Sequence, residues 1–204
     1  MQKAFFIVLE GIDGSGTTTH TKLLGEFLKK KGFKVHLTRE PSSSMIGKLL
    51  KEALLDDTIP PETDALLFAA DRTLHYKMEI KKKLDESFIV ISDRYLESSI
   101  VYQSSQSNDV SVDWIEDINK FVGYPDITII LDLPPEISLE RKRAHLETTG
   151  ENSEKFETIE FLKRVRKKFL NRAKKKNYIV INSEEKIDRV QEEIQNYVKK
   201  IIKF

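Results

Sequence analysis

Short apolar runs, separated by longer stretches in which apolar residues recur every three or four positions, set the pattern of this chain. Five runs stand out: Phe5–Leu9, Val35–Thr38, Phe88–Ser92, Ile127–Leu131 and Tyr178–Ile181. They are apolar without strict alternation, which suits strands covered on both faces. Strands spaced by helical stretches pair in parallel through crossovers. The expected fold is α/β, a doubly wound parallel sheet of five strands flanked by helices.

The first helix starts in a glycine-rich loop and carries Leu23, Leu24, Phe27 and Leu28 inward. It closes at Lys29–Lys31, a cationic last turn with Gly32 beyond it. A second helix fits Met45–Leu55, and Pro60-Pro61 separates it from a long third one. That helix is expected from about Glu62 to Leu84, with Leu66, Leu67, Ala70, Leu74 and Met78 among its apolar positions. Further helices fit Ser98–Gln106, Val112–Phe121, Ile137–His145, Ile159–Lys174 and Ile187–Ile202. The stretch Glu147–Glu157 is polar, contains Gly150 and has no apolar period, so a mobile loop between two helices is expected there.

With 204 residues, one domain is expected across the whole chain. The 34 Lys and Arg against 33 Asp and Glu leave a formal charge of +1, which gives no global reason to expect nucleic acid or membrane as partner. The basic stretch Lys163–Lys176 shares its helix with Phe161, Leu162, Val165, Phe169 and Leu170, and reads as a solvated face. Cysteine is absent, which excludes disulfides, thiolate zinc sites and thiol catalysis and makes a reducing cytoplasm the simplest home. His20, His36, His75 and His145 fit no metal-ligand spacing and read as packing or surface residues. No apolar run reaches the length of a membrane span.

The chemistry concentrates at strand ends. Between the first strand and the first helix lies Gly11-Ile12-Asp13-Gly14-Ser15-Gly16-Thr17-Thr18-Thr19. A glycine-rich turn feeding a helix aims backbone N–H groups and the positive end of the helix dipole at one point, where phosphates can sit. Thr18 falls where a hydroxyl is expected on Mg²⁺, and Thr19 adds a second hydroxyl. Thr17 stands where the usual pattern has lysine. Asp93-Arg94-Tyr95 follows the third apolar run: the acid can hold Mg²⁺ through water, and the arginine can fork onto phosphate oxygens. Arg39-Glu40-Pro41 ends the second run, and Pro41 stops the strand there. Phe68 and Arg72 lie four apart on one helix face, so a planar base could lie on the ring while the guanidinium meets a carbonyl oxygen. Taken alone, each feature also fits a plain turn, a strand-end salt bridge or a core aromatic.

As a set, these residues resemble the thymidylate kinase family, P-loop enzymes that move a phosphoryl group from ATP to dTMP. The resemblance runs in order through Phe6–Thr19, Thr38-Arg39-Glu40-Pro41, Leu66–Arg72, Asp93-Arg94-Tyr95, Ser98-Ser99, Tyr102-Gln103, Pro125-Asp126 and Leu131-Asp132, over roughly residues 5–175. It implies that Gly11–Thr19 cradles the ATP phosphates and that Thr18 and Asp93 hold Mg²⁺. Asp13 would lie near the sugar and phosphate of the acceptor, and Arg39 and Arg94 would grip its phosphate; these three are the implied catalytic residues. Phe68 would stack on thymine, with Arg72 and Gln103 on its polar edge and Ser99 close by. Tyr102 would crowd the 2′ position, and Arg141 would pack over adenine. The resemblance further implies a homodimer and a mobile lid, here Arg143 to about Glu157.

Two departures stand out against that pattern. Thr17 removes a cation, for which Arg94, Arg143, Lys155 or a second metal ion would have to stand in. Pro41-Ser42-Ser43-Ser44 replaces a stretch that is usually glycine-rich, which bears on the fit around the acceptor phosphate. A kinase for another deoxynucleoside monophosphate such as dUMP, or a nucleotide-binding protein with little turnover, are the alternatives at this stage.

Overall fold

The computed structural model describes residues 2–149 and 158–204. Strands β1 (Phe5–Gly11), β2 (Val35–Arg39), β3 (Ile89–Asp93), β4 (Ile127–Asp132) and β5 (Ile179–Asn182) form one sheet in the order β2-β3-β1-β4-β5, and every pairing is parallel. The expected sheet is present, with each strand within about two residues of its apolar run.

Alternation along the central strands divides the core. Phe5, Ile7 and Leu9 on β1 share one face with Ile89, Ile91, Ile127 and Ile129. Helices α1 (Thr17–Lys30) and α9 (Ile187–Ile202) cover that face with Leu24, Leu28, Ile194 and Val198. Phe6, Val8 and Val90 point to the opposite face. There Ile80, Tyr95 and Ile100 pack on them, the last two at and within helix α5 (Leu96–Gln106), while helix α8 (Ile159–Lys176) brings Phe161, Val165 and Phe169 against Ile130 and Leu133. The apolar stripe of α8 is thus buried.

The remaining helices are α2 (Met45–Ala53), α3 (Pro61–His75), α4 (Lys81–Asp85), α6 (Val112–Ile118) and α7 (Pro135–Thr149). Three of these correct the sequence reading. The long third helix is not uniform, because a π-helical turn at Tyr76–Ile80 joins α3 to α4. At Gly123 the backbone passes so close to this turn that a Cβ would lie 2.3 Å from the Tyr76 hydroxyl. The expected apolar stripe also faces largely outward: Leu66 and Ala70 on α3 and Met78 in the π-helical turn are exposed and only Leu67 packs against the core, while Asp64, Asp71, Arg72 and His75 are buried. Finally, α7 runs to Thr149, so the start of the expected loop over 147–157 is helical. Residues 150–157, including Lys155, lie outside the described residues.

Candidate active site

All parallel strands end at one edge of the sheet, and the loops leaving that edge enclose a crevice. The phosphate loop leaves β1, and Gly16 opens α1 in a left-handed conformation at φ 93°. Ile12 turns into the core, leaving its backbone to the loop, and Thr17 is buried at the first helical position. Thr18 and Thr19 are exposed. The Thr18 hydroxyl donates to Asp93 Oδ2 across the crevice, while Asp93 Oδ1 is buried and has no hydrogen-bond partner among the described residues. One hydroxyl and one under-used carboxylate, side by side at a phosphate loop, are the donor set that Mg²⁺ takes when nucleotide phosphates and water supply its other ligands. Among the described residues, no group of three or more His, Asp or Glu side chains is placed to hold a metal ion by itself.

Helix α7 docks on the back of the loop. Ser138 donates to the Asp13 carbonyl at 2.6 Å, and Arg141 donates to the Gly14 carbonyl at 3.1 Å and to the Ser183 carbonyl at 3.0 Å. Arg141 therefore bridges the phosphate loop and the loop after β5. Arg143, one residue from the docked face, lines a separate hollow with Glu136, Leu139 and Glu140.

Beyond the loop lies a cavity of about 200 Å³, whose wall includes Asp13, Arg39, Phe68, Arg72, Arg94, Tyr102 and Gln103. Arg94 adopts φ 66°, a left-handed conformation that turns its side chain from the end of β3 into the cavity, where it donates to Asp13 Oδ1 at 2.6 Å and to Ser98 at 3.0 Å. Burial alone would lower the Arg94 pKa, but the neighbouring carboxylates of Asp13 and Asp93 outweigh it and hold the guanidinium charged. Burial pushes the Tyr102 phenol well above its ordinary value, so it stays neutral. Arg39 is exposed at the rim. Gln103 is 1 % exposed, and neither its amide nitrogen nor its oxygen has a partner among the described residues.

Arg72 is held on every side. It reaches Glu40 Oε2 at 2.8 Å, Asn119 Oδ1 at 2.8 Å and the Tyr95 carbonyl at 3.2 Å. It also donates to the Ser99 hydroxyl at 2.7 Å. Ser99 thus stands behind Arg72 and is absent from the cavity wall. His75 approaches Glu40 Oε1 at 3.2 Å and Thr38 at 2.6 Å, which makes it a packing residue as its spacing implied.

Several organising residues carried no signal in the sequence. Glu10 is fully buried on β1 and caps the start of α5, accepting from the Tyr95 amide at 2.9 Å and from both the amide and the hydroxyl of Ser98. Burial, partly offset by Ser98 and Arg94, raises its pKa to about 7. Asp71 ties down the serine-rich loop by accepting from the Ser42 amide at 2.7 Å, the Ser42 hydroxyl at 2.5 Å and the Ser44 hydroxyl at 2.8 Å. A helix acid is an unremarkable residue until the loop that it faces is known.

A five-stranded parallel sheet of this order, with a phosphate loop after β1 and an arginine-lined cavity beside it, defines a P-loop nucleotide kinase. The chain belongs to the thymidylate kinase family, whose model matches residues 9–194. It is 44 % identical over 200 residues to a probable thymidylate kinase of Pyrobaculum aerophilum, covering 98 % of each chain. A second from Pyrobaculum calidifontis is 49 % identical over 179 residues, covering 87 % of each. A third, from Methanosphaera stadtmanae, is 42 % identical over 205 residues, covering 98 % of this chain and all of the relative.

Proposed function

We propose that the protein transfers the γ-phosphoryl group of ATP to dTMP, giving dTDP and ADP. Gln103 carries this reading: a buried amide with neither end paired among the described residues is costly, and it lines the cavity together with Phe68 and Arg72. The Watson–Crick edge of thymine offers an N–H donor between two carbonyl acceptors. Gln103 supplies an acceptor and a donor, Arg72 supplies the one N–H that its four bonds to Glu40, Asn119, Tyr95 and Ser99 leave over, and the Phe68 ring supplies a face for stacking.

The sugar end of dTMP then points toward Tyr102, whose bulk leaves little room for a 2′ hydroxyl. The acceptor phosphate meets Arg94 and Arg39, which neutralise it and aim an oxygen at the γ-phosphorus. Asp13 keeps Arg94 in place through their 2.6 Å contact. The backbone of Gly11–Thr19 receives the ATP phosphates, and Arg141 lies where the adenine would pass between the phosphate loop and Ser183. Mg²⁺, held by Thr18 and Asp93, would neutralise phosphate charge. Arg72, Arg94 and Asp13 on this path are held by partners before substrate arrives, so little of their reorganisation is left for the transfer step.

The reading extends to a homodimer in the cytoplasm. The outward stripe of Leu66, Ala70, Leu74 and Met78, with Ile118 beside it, is an apolar surface of the kind that a second copy covers. The lack of cysteine suits a reducing compartment, and no described helix is long and apolar enough to cross a membrane.

The test is ADP release with Mg·ATP and dTMP, run beside dUMP, dCMP, dGMP and a control without acceptor. Fastest turnover with dTMP is expected. Fastest turnover with dUMP would move the specificity to the demethylated base, and ATP binding without turnover on any acceptor would overturn the enzymatic reading.

A further inference from the structure

The phosphate loop has Thr17 where a cation is expected, and Thr17 is buried at the start of α1. Phosphoryl transfer asks a protein for little besides positioning and stabilisation of the charge spread over the transferring oxygens. Some other part of the chain has to supply that charge. We propose that Lys142, delivered by α7, is this cation, a catalytic lysine that faces the ATP phosphates from outside the loop. The proposal rests on the phosphoryl-transfer reading above.

Ser138, Arg141 and Lys142 stand at i, i+3 and i+4 on α7 and share one helix face. All three touch the phosphate loop: Ser138 at the Asp13 carbonyl, Arg141 at the Gly14 carbonyl and Lys142 at the Asp13 carboxylate. The first two contacts fix the register of α7 against the loop and so aim the third. The Lys142 side chain is 18 % exposed, an unusual degree of burial for a lysine on a helix whose next two residues are exposed. An ammonium withdrawn from water acts more strongly on a nearby anion than one in bulk solvent.

The two oxygens of Asp13 are held differently. Arg94 approaches Oδ1 at 2.6 Å, a hydrogen-bonded pair on the acceptor side. Lys142 approaches Oδ2 at 3.9 Å from the donor side, an ion pair too long for a hydrogen bond. Asp13 stays paired with Arg94 through Oδ1, so its place does not depend on the longer contact to Lys142. Arg141 is already engaged with two carbonyl oxygens, and Arg143 lies about 100° further round the helix, over its own hollow. During transfer the bond from the γ-phosphorus to the bridging oxygen breaks and one to a dTMP phosphate oxygen forms. Lys142 stabilises the charge and exchanges no proton.

Lys142→Met, Thr17→Lys and the double variant test the assignment, by turnover with Mg·ATP and dTMP and by calorimetric affinity for Mg·ATP alone. Lys142→Met is expected to lose about a hundredfold in kcat and about tenfold in ATP affinity. The KM for dTMP is expected to stay within about twofold of the parent. Thr17→Lys should raise the Lys142→Met variant by a far larger factor than it raises the parent, because only the former lacks a phosphate-facing cation. Parental kcat and affinity in Lys142→Met would overturn the proposal. So would losses that Thr17→Lys fails to repair, since Lys142 would then act only as a support for Asp13. The calorimetric arm decides about Lys142 even if the parent formed no dTDP, a result that would instead overturn the proposed reaction.

Discussion

Arg72 and Glu40 form an ion pair at 2.8 Å in which the two side chains are 1 % and 2 % exposed. Glu40 follows the last residue of β2, and Arg72 lies on the inner face of α3, so one contact joins the strand end carrying Arg39 to the helix carrying Phe68. Removing one partner strands a buried charge. Glu40→Ala is expected to cost about 3–5 kcal/mol of stability, read by urea unfolding. An unchanged denaturation midpoint would mean that Asn119 and the Tyr95 carbonyl suffice to hold Arg72.

Gln103 separates stability from function. Its buried amide has no partner among the described residues, so Gln103→Leu should raise stability by about 1 kcal/mol while raising the KM for dTMP about tenfold and leaving that for ATP unchanged. Thermal melting and initial rates measure the two effects. A loss in both would place Gln103 in the packing of α5 instead of in the acceptor cavity.

Asp93 has one oxygen on Thr18 and one buried without a partner among the described residues. Asp93→Asn should raise the Mg²⁺ concentration needed for half-maximal turnover by about tenfold or more. A Mg²⁺ titration at saturating ATP and dTMP reads this directly, and a parental titration curve would remove Asp93 from the metal site.

Glu10 predicts a pH dependence. Its folded pKa, about 7, lies above the ordinary carboxylate value of 4.5, so the folded state binds the proton more tightly than the unfolded one. The stabilisation is full below pH 4.5 and is lost as pH rises through about 7. Ser98, Arg94 and Glu97 are the groups that act on it besides burial. Glu10→Gln should therefore flatten the decline in melting temperature between pH 5 and pH 8. Parallel curves for parent and variant would show that the decline comes from other groups.

The sheet was legible because its strands are apolar runs of the right length, and the phosphate loop because glycine spacing betrays a backbone that has to approach phosphate. Helix α3 was not legible in the same way. Apolar periodicity marks a face without saying what the face meets, and here the polar stripe of Asp64, Asp71, Arg72 and His75 turns inward to organise the site. The π-helical turn after His75 shifts the register of everything beyond it, which no 3.6-residue period anticipates. Arg94 and Arg39 could be placed from strand ends. Glu10, Asp71 and Lys142 could not, since their importance comes from partners that are 88, 29 and 129 positions away in the chain.

The inverted stripe of α3 makes the helix a shared wall. Its outer side is greasy and its inner side sets Arg72, so a second chain resting on Leu66, and on Met78 in the turn beyond, would press on the same rod that carries the proposed base-reading arginine. Dilution, detergents and crowding would then reach nucleotide recognition without touching the cavity, and the protein's choice of acceptor would become a property of the pair rather than of either copy.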